Sequence, residues 1–70
     1  MSFVTKDALS LFKTIYPDIE AESEPVNGGA GSEYLVTAKL PDGRFFFIVD
    51  TLDHTISRGF ESKERALKSA

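Results

Sequence analysis

The sequence predicts a single α+β domain: a three- to four-stranded antiparallel meander with an N-terminal helix and a short C-terminal helix packed on one face. Three observations predict it. Ala8, Leu11, Phe12 and Ile15 recur at helical spacing near the start of the chain. Two β-prone apolar runs between Glu33 and Asp50 flank the turn residues Pro41-Asp42-Gly43. A closing segment led by Ser62 puts Ala66, Leu67 and Ala70 on the inner side of a helix, with Lys63, Arg65 and Lys68 outward.

The first helix is expected from about residue 6 to 16. Leu9 and Tyr16 widen its apolar stripe, while Lys6, Ser10, Lys13 and Thr14 fall largely on the other side. Thr5 suits its cap, Asp7 its first turn, and Pro17 disfavours helical geometry at Tyr16. From Asp18 to Val26 the pattern changes to period two, Ile19, Ala21 and Ser23 alternating with Glu20, Glu22 and Glu24. Proline cannot donate to a ladder and charge discourages further pairing, so Pro25 and the glutamates place this strand at an edge. Asn27 to Ser32, with three glycines, reads as a flexible connection.

The hairpin admits two registers. A two-residue Asp42-Gly43 turn sets Leu40 opposite Phe45 and collects Tyr34, Val36, Ala38, Leu40, Phe45, Phe47 and Val49 on one face; Leu35, Thr37, Lys39, Phe46 and Ile48 take the other. A type I turn at Pro41-Asp42 with a bulge at Gly43 sets Leu40 opposite Arg44 and exchanges the phenylalanine faces. Hydrophobic sorting favours the first and the proline the second. In both, the consecutive run from Phe45 to Val49 makes the second strand apolar on two sides, a pattern usually covered on both faces. A turn at Thr51 to His54, a short strand Thr55 to Arg58 and a break at Gly59 complete the meander.

Composition narrows the function classes. A chain of 70 residues supports one core, so residues 1–70 form one domain. A hydrophobic fraction of 41% with 27% charged residues belongs to a folded globular protein. The absence of cysteine removes disulfide and thiolate chemistry and suits a reducing cytoplasm. The opening residues lack the pattern of a signal peptide, and no apolar run reaches membrane-spanning length. Net charge is −3 and the pI about 4.9, so a basic partner is expected over an acidic one.

No residue pattern points to catalysis, a metal or a cofactor. His54 is the single histidine, near Asp50, Asp53 and Ser57. A triad draws its members from distant parts of a larger scaffold and a metal site needs three or four ligands, so these read as turn residues. The glycine-rich segment lacks the following Lys-Ser/Thr pair of a phosphate-cradling loop.

Surfaces carry the functional expectations. Between Asp18 and Glu33 lie five carboxylates and no basic residue. Glu20, Glu22 and Glu24 project to one side about 7 Å apart, a spacing that resembles nucleic-acid phosphates and suits a basic nucleic-acid-binding protein as partner. The plain alternative is an edge kept soluble by charge. With both helices on one face, Leu35, Phe46 and Ile48 would form an exposed apolar patch on the other, a seam for a protein partner or a homodimer unless Phe3-Val4 or the glycine-rich loop covers it. Arg58, Lys63, Arg65 and Lys68 gather the densest positive charge, with Glu61 and Glu64 interrupting it, and define an alternative nucleic-acid-binding surface.

Two resemblances add to this. Residues 7 to 58, through Tyr16-Pro17-Asp18, Glu33-Tyr34-Leu35-Val36, Pro41-Asp42-Gly43-Arg44 and Val49-Asp50-Thr51, resemble the PepSY family of small helix-plus-sheet domains, which implies a noncatalytic domain that binds or restrains other proteins. Residues 34 to 67, through Leu40-Pro41-Asp42-Gly43-Arg44 and Phe60-Glu61-Ser62-Lys63-Glu64-Arg65-Ala66, are similar to the arm-type DNA-binding domains of phage integrases. The expectation is a noncatalytic protein-binding regulator or inhibitor, acting through the exposed sheet face or the acidic edge. By analogy, small acidic domains of this kind are products with which phages disable host factors. Direct nucleic-acid binding is the second expectation.

Overall fold

The computed structural model describes residues 8–26 and 31–69. Helix α1 spans Ala8–Ile15, followed by strands β1 (Glu20–Pro25), β2 (Glu33–Leu40), β3 (Gly43–Asp50) and β4 (Thr55–Ile56), and helix α2 closes the chain at Lys63–Ser69. The strands form one antiparallel sheet in the order β1-β2-β3-β4. The α+β class and the meander are therefore as the sequence predicts. Thr5, Asp7, Phe3-Val4, most of the glycine-rich segment and Ala70, to which the sequence assigned capping, covering and packing roles, lie outside the described residues.

Phe12 is fully buried, as is Ala8, and both sit against Val36, Ala38, Phe47 and Val49. Phe12 meets the Phe47 ring at 5.1 Å and Tyr16 at 4.9 Å, tilted geometries that suit the aromatic quadrupole. Ile15, expected in the apolar stripe, is exposed instead, because the helix ends there and the chain turns away. The amide of Ile19 donates to Tyr16 O across Pro17-Asp18, with proline in the turn position that its fixed φ favours.

The hairpin adopts neither expected register. Leu40 stands opposite Gly43, and Lys39 opposite Arg44, so the loop is Pro41-Asp42. Neither loop residue takes a positive φ, whereas Gly43 lies at +137°. Proline is fixed near −65° and cannot enter a primed turn. The loop therefore takes Pro41 where no amide is needed, and Gly43 absorbs the conformation that follows. This pairing is displaced by one residue on each strand from the Asp42-Gly43 register. The displacement preserves parity, and the side chains sort onto the faces that register predicts: Tyr34, Val36, Ala38, Phe45, Phe47 and Val49 on the α1 side, Leu35, Phe46 and Ile48 on the other.

One placement corrects the sequence reading. The helices do not share a face: α2 lies on the opposite side of the sheet from α1, packing on β3. Ala66 is fully buried there against Leu35, Ile48 and Val26, with Phe46 and Phe60 alongside. The cause is a bulge after β4. Ile56 opposes Val49, but Phe60 opposes Phe46, so Ser57, Arg58 and Gly59 face only Phe47 and Ile48. An extra residue reverses side-chain parity. Ile56 consequently points into the first core and Phe60 into the second, and the chain enters α2 on the far face. Ser57 holds the bulge, its amide donating to Ile48 O and its Oγ accepting from the Ile48 amide, both at 2.9 Å. Ser62 caps α2, its Oγ accepting the Arg65 amide at 3.1 Å. Leu67, expected inside, is 40% exposed, since this short helix buries little beyond Ala66.

Candidate functional site

The residues that suggested chemistry are occupied by structure. Asp50 Oδ1 accepts from Ser32 Oγ at 2.9 Å, the Leu52 amide at 2.9 Å and the Asp53 amide at 3.1 Å, tying the β3–β4 turn to the start of β2. The Asp53 amide, the Ser32 hydroxyl and the Leu52 amide favour the ionised form against an opposing desolvation, holding the Asp50 carboxyl below its ordinary value. Ser57 Oγ also donates to Arg58 O. His54 occupies the exposed turn in left-handed conformation, at φ 57°. Among the described residues, no three His, Cys, Asp or Glu side chains are grouped to hold a metal, and no helix is long and apolar enough to cross a membrane.

The expected apolar patch is not a surface. Leu35 is 1% and Ile48 7% exposed, both enclosed beneath α2, and Phe46 packs at the margin of that cluster. The bulge placed the second helix over the face that the sequence left open, so a docking site built on Leu35 and Ile48 is withdrawn.

The acidic edge is where the sequence put it. β1 pairs with β2 along its whole length, and among the described residues no strand pairs its outer side. Five of its six residues are exposed. Glu20, Glu22 and Glu24 stand opposite Lys39, Thr37 and Leu35, which puts all three on the α2 face. Glu24 reaches across to Lys63, Oε2 to Nζ 3.2 Å, with both side chains more than half exposed. Such a pair is worth roughly 0–1 kcal/mol. The row is thus flanked by basic side chains that the linear pattern did not reveal.

The four basic residues picked out near the C-terminus separate. The Arg58 guanidinium lies over the Phe60 ring at 4.9 Å. Together with Arg65, Glu61, Phe45, Gly59 and Phe60 it lines a shallow cleft of about 320 Å³. Lys63 turns the other way, toward β1, and lines a second cleft of about 440 Å³ with Glu22, Thr37, Lys39, Arg44 and Phe46. Lys68 is exposed in the last turn of α2 and lines neither. Sequence reasoning missed Lys39 and Arg44. Part of the signal was available, because Lys39 sits on the same alternating face as Thr37 and Phe46, but Arg44 comes directly opposite it only in the register adopted.

Comparison with protein-family models, curated proteins and solved structures finds no match to the chain. Its functional reading therefore rests on its own edge and clefts.

Proposed function

We propose that this chain is a noncatalytic protein-binding domain that accepts an extended basic segment of another protein as an added strand on the outer edge of β1. The observation that carries this is an exposed six-residue edge strand presenting Glu20, Glu22 and Glu24 on one face. An edge offers a row of backbone donors and acceptors, and side chains at alternate positions select what is added. Cross-strand neighbours of opposite charge stabilise a sheet and like charges destabilise it. A segment with lysine or arginine at every second position places those charges opposite the glutamates.

The same geometry disfavours a second copy of this chain. Antiparallel pairing of β1 with itself about Glu22, keeping the sheet faces continuous, sets Glu22 against Glu22 and Glu20 against Glu24.

The test is an NMR titration of the isotope-labelled protein with a ten-residue peptide alternating lysine and threonine, beside a peptide alternating glutamate and threonine. The expected result is amide shifts centred on Ala21 to Glu24 with the basic peptide alone. Glu20→Lys, Glu22→Lys and Glu24→Lys combined should abolish them. Equal response to both peptides, or shifts confined to α2, would overturn the reading.

A further inference from the structure

The cleft beside α2 contains an arrangement that the edge-strand reading does not use. Lys39 and Arg44 stand directly opposite each other on β2 and β3, both exposed. Directly opposed like charges on one sheet face repel. Among the described residues neither Lys39 nor Arg44 makes an ion pair, although Glu20 is the cross-strand neighbour of Lys39. Lys63 comes over the same space from the start of α2. Three basic residues thus line one concavity, together with Thr37 and the partly buried Phe46.

We infer that this cleft binds the phosphate of a nucleotide. A doubly charged phosphate between Lys39 and Arg44 converts their repulsion into two charge-assisted contacts, Arg44 supplying a planar fork and Lys39 a point charge. Lys63 leaves its exposed pair with Glu24 at little cost and closes on the same oxygens. Phe46, in the adjacent row of the sheet, supplies an apolar face against which a base stacks. A volume of about 440 Å³ lies within the range of small-molecule sites. Glu22 is the one acid lining the cleft, and it weakens the site as it stands. Glu22 is shared with the β1 edge, so Arg44→Ala, on β3 away from that edge, is the variant that separates the two sites.

The experiment is calorimetric and NMR titration of the full chain with adenosine monophosphate, ribose 5-phosphate and inorganic phosphate. Adenosine monophosphate should bind with Kd on the order of 0.1–1 mM at low salt, shifting amides between Thr37 and Phe46. Arg44→Ala should weaken it about tenfold, the equivalent of one charge-assisted hydrogen bond, and Glu22→Gln should tighten it. Arg44 is exposed, and circular dichroism confirms that its variant is folded. No binding at about 10 mM nucleotide, or an affinity unchanged by Arg44→Ala, would overturn the inference. So would ribose 5-phosphate or inorganic phosphate binding as tightly as the nucleotide, since Phe46 would then have no part in recognition.

Discussion

Phe46 and Phe60 exchange both of their backbone hydrogen bonds, each at 2.8 Å, across the bulge that sends Phe60 to the opposite face from Ile56. This single pair decides which side of the sheet the second helix covers, and hence which charged residues remain together in the open.

Gly59 sits in that bulge with no space above it. A Cβ there would lie 3.1 and 3.3 Å from the Phe47 ring and 3.4 Å from Phe45. Phe47 is held by Phe12 and has little freedom to retreat. Gly59→Ala should cost about 1–2 kcal/mol, read as a lower urea midpoint with unchanged slope. A variant as stable as the parent would show that the rings yield.

Phe46→Glu separates a surface ring from a core ring. Because Phe46 packs with Leu35, Ile48 and Ala66, a carboxylate there should destabilise the fold by about 2 kcal/mol or more. Thermal melts check this. Full stability would mean that the second core closes without Phe46.

Ser62→Ala removes the cap of α2. The expected loss is about 1 kcal/mol, with Ser62→Asp close to neutral. Since α2 is short and closes the second core, amide exchange around Ala66 should rise alongside. Unchanged exchange would show that the start of α2 is held without the Ser62 hydroxyl.

Asp50 gives the fold a defined acid limb. Its folded-state carboxyl titrates below the unfolded value, so the stabilisation is fully present above the ordinary carboxylate range and is lost as pH falls through the depressed value. Asp50→Asn should be less stable than the parent near pH 7, and the difference should shrink as pH drops below about 4. Urea titrations at several pH values measure it; a constant difference would assign the effect to geometry alone.

Glu22→Val tests whether the glutamates prevent self-pairing. Removing the central charge from an exposed edge should produce concentration-dependent association in sedimentation, whereas Glu22→Lys, which keeps a charge at the same position, should stay monomeric. A monomeric valine variant at all concentrations would leave Pro25 and the strand ends as the protection.

The linear sequence determined the helix around Phe12 and the acidic edge, written in local periods of 3.6 and 2, and the two-sided strand from Phe45 to Val49, written as an unbroken apolar run. Which residues of the hairpin share a face it left open between two registers of opposite parity, and the pairing adopted keeps the parity of the Asp42-Gly43 alternative. Only the tertiary structure decided where that run finds its second cover. The bulge at Ser57–Gly59 inserts one unpaired residue against β3, an event without periodicity, and with it the chain enters α2 on the far side. The cleft followed for the same reason: Lys39, Arg44 and Lys63 come from three elements, and their meeting depends on a pairing register and a helix placement fixed by packing across the whole sheet.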